Sequence, residues 1–235
     1  MIVAIDGPSG SGKSSTARAV ADALGGLFVD TGAMYRATSL YLSRLGLERA
    51  TEVTREHLRA LDLHLEVTGH EGSDRVRVLL GGEDVSGEIR KEYAGRLASE
   101  FAQSSCVRDA MVARQRIVAQ KVASHGGVVV MEGRDIGTVV FPDADVKIFM
   151  TANDRVRAER RRAELAERGQ DVALGDIMED MKARDARDRS RARAPLRKAD
   201  DAVEIDTTGL SFRDQVIRIV KIVTEKRQQL SGGTN

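Results

Sequence analysis

The feature that most constrains the fold is a glycine-rich segment at residues 7–14, which follows the apolar run Ile2-Val3-Ala4-Ile5. The segment matches the pattern G-x-x-x-x-G-K-[ST] in full. The apolar run predicts a short buried strand, and a helix is expected to begin at or just after Lys13. The chain therefore opens with a strand, a glycine-rich loop and a helix in direct succession.

This arrangement suits a polyphosphate. Glycines at 7, 10 and 12 let the backbone approach a ligand closely with its N–H groups pointing inward, and the helix adds its positive N-terminal end. Lys13 can span the β- and γ-phosphates, and the Ser14 hydroxyl can ligate a Mg²⁺ that bridges them. The alternative is an ordinary glycine-rich turn, but the complete match with both flanking elements favours phosphate binding.

Composition excludes several classes of protein. The 235 residues are 41% hydrophobic, which suffices for one compact unit with a substantial core. The 37 basic and 36 acidic side chains leave a formal charge of +1, so no global attraction to nucleic acid or an anionic membrane is expected. The single cysteine, Cys106, excludes an intramolecular disulfide. With no signal-peptide pattern and no long apolar run, we expect a soluble cytoplasmic protein.

A second apolar run, Leu27-Phe28-Val29, predicts a strand whose end carries polar groups. Ligands of open α/β sheets bind at the carboxyl ends of strands, so Thr31, Tyr35 and Arg36 could meet a second substrate. They could equally be an N-cap threonine, a core tyrosine and a surface arginine. The helix that follows is predicted to place these residues on one side: Met34, Ala37, Tyr41 and Leu45.

Residues 61–90 change in character. Alternating apolar residues over 63–67 and 76–80, with a turn over 69–74, predict a small antiparallel sheet inserted into the fold. The Glu83-Asp84 pair and Arg90, which follow, could belong to a binding site or merely cap and solvate a turn.

A third apolar run, at residues 127–131, is typical of a strand buried on both faces of a parallel sheet. It leads into Glu132, Arg134 and Asp135, where metal-bound water and phosphates could be held. A salt-bridged turn is the alternative.

Two charged segments follow the next predicted strand, at residues 146–150. Five arginines crowd residues 155–162, and they fit either a mobile lid that closes over ATP or a solvated helix with i,i+4 ion pairs. Arg184, Asp188 and Arg191 have a spacing that places all three on one helix face. A final strand at 202–206 precedes an amphipathic helix, with a capping box at Ser211 and Asp214 and an apolar face of Phe212, Val216, Ile219, Val220 and Val223.

Taken together, these segments resemble the bacterial cytidylate kinases, a branch of the nucleoside monophosphate kinases. The resemblance rests on IDGPSGSGKS, DTGAMYR, GEDVSGEIR, EGRDIGTVVFPDADVKIF and RDARDRSRARAPL, which run in the family's order from residue 2 to about 208. It implies an α/β P-loop NTPase fold of three α/β/α layers, with a five-stranded parallel sheet, an antiparallel β insert and a helical lid. Within a single domain, 1–235, it implies a core of about 1–35, 103–153 and 172–230, an insert of about 36–102 and a lid of about 154–171.

The resemblance also implies an activity: transfer of the ATP γ-phosphate to CMP or dCMP by a cytoplasmic, Mg²⁺-dependent monomer. ATP would be held by Gly7, Pro8, Ser9, Gly10, Ser11, Gly12, Lys13, Ser14 and Ser15. CMP would be held by Thr31, Tyr35, Arg36, Ser99, Arg108, Arg134, Asp135, Arg184, Asp188 and Arg191. Lys13, Arg134 and Arg191 would be catalytic. Many relatives have serine in place of Thr31, and some have aspartate in place of Glu132; both differences retain the functional group.

Two other functions are compatible with a phosphate loop. One is a kinase for a different small acceptor, which a panel of acceptors would distinguish. The other is a GTP-dependent switch protein, which the sequence disfavours because the N-K-x-D motif is missing.

Overall fold

The computed structural model describes residues 1–68, 75–167, 169–191 and 193–232, and within them the chain forms eight strands and eight α-helices. The strands are β1 (Ile2–Asp6), β2 (Leu27–Asp30), β3 (Leu63–Thr68), β4 (Arg75–Leu80), β5 (Glu83–Asp84), β6 (Val129–Gly133), β7 (Val146–Thr151) and β8 (Val203–Asp206). The helices are α1 (Lys13–Ala23), α2 (Thr31–Arg44), α3 (Arg55–Arg59), α4 (Glu92–Phe101), α5 (Ser105–Ala123), α6 (Asp154–Ala166), α7 (Leu174–Ser190) and α8 (Phe212–Gly232). A π-helical turn follows β6 at Ile136–Val140.

The main sheet has the strand order β2-β6-β1-β7-β8, which confirms the predicted five-stranded parallel sheet and the α/β class. Strand β1 lies in the middle and pairs in parallel with both β6 and β7. Its residues Val3, Ala4 and Ile5 are fully buried, as are Val129, Val130 and Met131 of β6. Uninterrupted apolar runs are what a parallel sheet covered on both faces requires.

The pairing of β1 with β6 brings two polar segments to the same edge of the sheet. Asp6, the last residue of β1, is in register with Gly133, the last residue of β6. The glycine-rich loop and the segment that carries Arg134 and Asp135 therefore leave the sheet side by side.

The chain forms two compact units, of which the first comprises Met1–Val29 and Val118–Asn235. Its core lies between the main sheet and helices α1 and α8, with Val20 and Ala21 of α1 and Ile219 and Val223 of α8 all fully buried. A smaller cluster joins α6 to α7 through Ala158, Leu165, Ile177 and Met181. The predicted boundaries of core, insert and lid remain predictions.

The second unit, Asp30–Ile117, contains the predicted antiparallel sheet. Leu63 pairs with Leu80 and Leu65 with Val78, which confirms the alternating pattern. The predicted turn at 69–74 lies outside the described residues. A third strand, β5, pairs with β4 and was not predicted, because only its two acidic residues take part.

Three side-chain placements differ from the predictions. Leu45 is 50% exposed because α2 ends there, and Leu40 and Leu42 are buried instead. Phe212 is 52% exposed because it opens α8, whose buried residues are Gln215, Ile219 and Val223. Helix α7 ends at Ser190, so Arg191 follows the helix and does not share its face by periodicity.

Helix α8 closes the described chain. The Asp214 N–H donates to Ser211 Oγ at 3.2 Å, which supports the predicted capping interaction. Ser231 and Gly232 are still helical, and the last three residues lie outside the described ranges. Among the helices that are described, none is both long enough and apolar enough to cross a membrane.

Candidate active site

The glycine-rich loop has a backbone conformation, and a closeness to its neighbours, that residues with a Cβ could not adopt. Gly7 has a φ of 150°, and a Cβ there would lie 2.1 Å from the Met150 carbonyl oxygen. Gly10 has a φ of 72°, and its Cβ would lie 2.9 Å from the Arg157 carbonyl oxygen. The loop backbone thus lies so close to β7 and α6 that neither position has room for a Cβ, which explains why glycine occupies both.

Lys13 lies inside this loop and is only 4% exposed. Its Nζ donates to the Pro8 carbonyl oxygen at 2.6 Å, and Ser11 Oγ lies 3.4 Å away. Burial, followed by repulsion from Arg134, lowers the pKa of Lys13 to about 7, with Glu132 opposing the shift. The ammonium is thus poorly solvated and crowded by cations, and a bound anion would relieve both conditions.

A buried ion pair braces Ser9 of the loop on both of its backbone groups. Arg157 of α6 donates to the Ser9 carbonyl oxygen at 2.8 Å and to Asp185 of α7 at 2.6 Å. Asp185 in turn accepts the Ser9 N–H at 3.4 Å. Side-chain exposure is 6% for Arg157 and 5% for Asp185. The two helices that follow β7 are therefore attached to the phosphate loop by charged groups.

The arginines of α6 divide into two groups. Arg155 and Arg161 form exposed ion pairs within the helix, as in the solvated-helix interpretation. Arg157 and Arg160 instead turn toward the loop, and Arg160 donates to the Thr207 carbonyl oxygen at 2.7 Å. Thr207 Oγ1 reaches the Ser11 carbonyl oxygen at 3.1 Å.

A second cluster of charges surrounds Asp188, which is 2% exposed. Arg134 donates to Asp188 Oδ2 at 2.9 Å, and Arg191 donates to Oδ1 at 2.5 Å. Burial alone would raise the pKa of Asp188, but Arg134, Arg191 and Arg184 together lower it below its ordinary value. Asp188 thus stays ionised and fixes two arginines, as the sequence grouping had suggested for Arg191.

Glu132 and Asp135 lie at the carboxyl end of β6 and are buried, with 6% and 5% exposure. The charge of Glu132 acts on Lys13 and raises its pKa. Both carboxylates thus belong to the sheet edge that carries the phosphate loop, as predicted.

In the second unit, the predicted residues cluster around α2. The guanidinium of Arg108 lies 5.8 Å from the centre of the Tyr35 ring. Arg36 pairs with Asp30 at 3.2 Å, and Asp30 also caps α2 by accepting the Ala33 N–H at 2.7 Å. Thr31 is buried at the first turn of the same helix.

Four buried polar atoms in this unit lack a hydrogen bond within the described structure: Ser99 Oγ, Arg36 Nε, and both Nε2 and Oε1 of Gln115. A buried polar group without a partner costs roughly 1–3 kcal/mol, so such groups commonly await a ligand or water. Ser99 and Arg36 were predicted to contact the acceptor, whereas Gln115 was not.

The Glu83-Asp84 pair has a structural role. Glu83 accepts from Arg44 at 2.7 Å, and Asp84 accepts from Arg77 at 2.9 Å and from the Ser86 N–H at 2.9 Å. The carboxylates of β5 are therefore engaged in exposed ion pairs, in agreement with the solvating interpretation.

Sequence reasoning missed several residues that shape the site. Asp6, Asp185, Thr207 and Gln215 all contact either the loop or its neighbours. Asp6 could have been noticed, because a carboxylate at the end of a buried strand needs partners. For the other three, the partners lie more than 170 residues away in the chain, and no local pattern indicates them.

The residues available for a metal fit Mg²⁺ held together with phosphates. Ser14 presents an exposed hydroxyl on the first turn of α1, and Glu132 supplies a carboxylate near Lys13. Within the described ranges, no group of three or more histidine, cysteine or acidic side chains could hold a metal. Mg²⁺ is commonly bound through one or two protein oxygens plus substrate phosphates and waters, so this donor set is suitable.

A complete phosphate loop at the central strand of a parallel sheet, with arginines near its lysine, defines the class of P-loop NTPases. The comparisons with known proteins narrow this class. The family profile for cytidylate kinases matches residues 3–225. The chain belongs to the cytidylate kinase family.

Curated relatives agree along nearly the whole chain. The cytidylate kinase of Geobacter sulfurreducens is 43% identical over 99% of this chain and 96% of its own length. That of Thermosipho melanesiensis is 43% identical over 95% of this chain and 97% of its own. That of Rhodococcus opacus is 44% identical, with 96% of both chains covered. The family is therefore shown for the chain as a whole.

Proposed function

We propose that this protein transfers the γ-phosphate of ATP to CMP or dCMP, giving ADP and CDP or dCDP. The observation that carries the proposal is the buried Lys13. It lies in a complete phosphate loop, and the positive charges of Arg134 and Arg184 lower its pKa. Three cations concentrated at one loop are suited to a polyphosphate and to little else. Membership of the cytidylate kinase family supplies the acceptor.

We propose that residues 7–15 hold the ATP phosphates. Backbone N–H groups of the loop and the first turn of α1 donate to the β-phosphate, and Lys13 spans the β- and γ-phosphates. When bound, Mg²⁺ neutralises phosphate charge, with Ser14 as its protein ligand. Arg157 and Arg160 donate hydrogen bonds to the carbonyl oxygens of Ser9 and Ser11, and these bonds preorganise the loop for ATP.

The acceptor is proposed to be held at its phosphate and at its sugar. Tyr35, Arg36 and Arg134 address its phosphate, with Thr31 close by and Arg191 beside the phosphates. Arg184 and Asp188 reach the sugar hydroxyls. The unpartnered Arg36 Nε supports this assignment, because it is a buried donor for which a phosphate oxygen is a suitable acceptor.

The cytosine ring is proposed to meet Ser99, Arg108 and Asp135. A carboxylate accepts from the N4 amino group of cytosine but repels the oxygen that uracil presents there. The unpartnered Ser99 Oγ is a second buried group available to the base.

The reaction needs no covalent enzyme intermediate. An oxygen of the acceptor phosphate attacks the γ-phosphorus in line, the bond to the β-phosphate oxygen breaks, and ADP leaves with the bonding electrons. The acceptor is already anionic, so no side chain has to remove a proton. The chain positions the two nucleotides and neutralises charge through Lys13 and the arginines.

Chemistry on small nucleotides requires neither nucleic acid nor membrane, and we propose a cytoplasmic monomer. The insert at about 36–102 serves the acceptor, and the lid at about 154–171 serves ATP. Residues 1–35, 103–153 and 172–230 form the core in this proposal.

The phosphate-loop assignment is tested by Lys13→Ala. Loss of the cation that spans the transferring phosphate should lower kcat for CMP phosphorylation about 100-fold or more. Steady-state ADP release with saturating MgATP and CMP measures the effect, and thermal unfolding verifies that the variant is folded.

Lys221→Ala is the matched control, since Lys221 is exposed on α8 and makes only a 3.9 Å contact with Glu225. Its kcat should equal that of the wild type within a factor of two. A folded Lys13→Ala variant with a near-normal rate would refute the assignment.

A further inference from the structure

Asp6 is a buried carboxylate that the proposed reaction does not use. It ends β1 directly before the phosphate loop and is 4% exposed. Its Oδ1 accepts the N–H of Ile136 at 2.9 Å, and its Oδ2 accepts the N–H of Gly137 at 2.7 Å. Both carboxylate oxygens are thus engaged by successive backbone groups, 130 and 131 residues away in the sequence.

These two N–H groups belong to the chain that directly follows Arg134 and Asp135. The ladder between β1 and β6 ends with Asp6 opposite Gly133. Beyond that point, strand pairing no longer fixes the chain, and the π-helical turn begins at Ile136. The Asp6 side chain binds the backbone again at Ile136 and Gly137, so Arg134 and Asp135 lie between the end of β6 and this anchor.

Burying the Asp6 carboxylate costs free energy of desolvation, and a functional role would account for its being retained. Burial raises the pKa of Asp6 to about 6, against the opposing effect of the two backbone N–H groups, and Asp135 adds repulsion. Charge-assisted bonds to two N–H groups are about the strongest that a neutral backbone can offer. A less costly turn could satisfy the same backbone groups with water or with its own carbonyls.

We propose that Asp6 is a positioning residue for the acceptor site: it fixes residues 133–137 so that Arg134 and Asp135 face the acceptor in one orientation. This inference rests on the proposed function, in which Arg134 addresses the acceptor phosphate and Asp135 the cytosine. The strand that carries the ATP loop thereby also sets the geometry of acceptor recognition.

The test uses the full-length protein with the substitution Asp6→Asn. The amide has nearly the same shape, but its NH₂ group faces one of the two N–H donors and cannot accept from it. We expect kcat/KM for CMP to fall at least tenfold and the CMP-to-UMP ratio of kcat/KM to fall at least fivefold. Asp6 also acts electrostatically on Lys13, so KM for MgATP is expected to change as well; that change cancels in the CMP-to-UMP ratio, because MgATP is the donor in both reactions.

Asp145→Asn is the matched control. Asp145 Oδ2 accepts the Ile2 N–H at 2.6 Å, so this carboxylate also holds a backbone N–H, but at the opposite end of the same strand. The control should change thermal stability while leaving the CMP-to-UMP ratio as it is in the wild type. A ratio that changes equally in both variants would overturn the proposal, because it would reflect general loosening of β1.

The remaining outcomes are also decisive. An equal loss for CMP and UMP in Asp6→Asn would assign Asp6 a general structural role and overturn the proposal. If Asp6→Asn does not fold, Asp6→Glu replaces it, because this variant retains the charge and adds one methylene. The CMP-to-UMP ratio of kcat/KM should fall in Asp6→Glu as well. An unchanged ratio in Asp6→Glu would overturn the proposal. If the wild type itself does not phosphorylate CMP, the proposed function fails, irrespective of Asp6.

Discussion

At the scale of single residues, Lys13 has the electrostatic surroundings that suit the proposed phosphate site. Its ammonium is buried and lies near Arg134 and Arg184, so its pKa falls to about 7. Bound phosphates supply the opposite charge and favour the protonated form. The free lysine is therefore largely neutral above pH 7 and becomes charged when the nucleotide binds.

We expect proton uptake on nucleotide binding as a result. At pH 8, where the phosphates are fully ionised, MgATP binding should take up close to one proton per site. At pH 6 the uptake should be much smaller, because Lys13 is already protonated in the free protein. Isothermal titration calorimetry in buffers of different ionisation enthalpy measures the number of protons directly.

Lys13→Met tests whether Lys13 is the group that takes up the proton, since the variant has no amine and should lose the uptake at pH 8. The same proton balance at pH 6 and pH 8 in the wild type would show that Lys13 does not titrate in this range.

At the scale of secondary-structure elements, helices α6 and α7 are joined to the phosphate loop by the Arg157–Asp185 pair. The pair is almost fully buried, and it also holds both backbone groups of Ser9. Removing one partner of such a pair leaves an uncompensated buried charge. The exposed pairs of α6 contribute little by comparison.

We predict that Asp185→Ala lowers the free energy of unfolding by about 3 kcal/mol, because Arg157 then has only Asp154 as an acidic partner among its described contacts. Urea denaturation measures the change. Glu159→Ala, which removes the partner of the exposed Arg155, should cost no more than about 0.5 kcal/mol. Equal losses in the two variants would contradict the role assigned to the buried pair.

The elements also show what the sequence could predict. The strand, loop and helix at residues 2–23 were predicted because their signals are local: an apolar run, three glycines and a helix start. The antiparallel sheet was predicted from two alternating segments with a turn between them, and the structure adds its register, in which Leu65 pairs with Val78. The predictions that Leu45 and Phe212 belong to the buried helix faces were wrong, because periodicity indicates a helix face but not where the neighbouring core ends.

Side-chain partners across the chain were beyond sequence reasoning. The arginines at 155–162 were predicted as one group, whereas the fold separates Arg157 and Arg160 from the rest by directing them to the loop. Asp6 was missed because the backbone N–H groups that it accepts from lie about 130 residues later in the chain. They come near Asp6 only through the pairing of β1 with β6. Local patterns locate a site, and tertiary pairing determines which charges are fixed within it.

At the scale of the whole molecule, two units each hold part of the predicted chemistry. The first contains Lys13 and the arginines fixed by Asp188, and the second contains Tyr35, Arg108 and the unpartnered Ser99 hydroxyl. ATP is proposed to be held by the phosphate loop of the first unit.

The most direct measurement of the central claim is coupled ADP release by the wild-type protein with MgATP and, in parallel, CMP, dCMP, UMP, AMP and GMP. We expect turnover confined largely to CMP and dCMP, with CDP and dCDP as the products. No phosphorylation of any of the five acceptors would contradict the proposed reaction, and equal rates with CMP and UMP would contradict the cytosine contact assigned to Asp135.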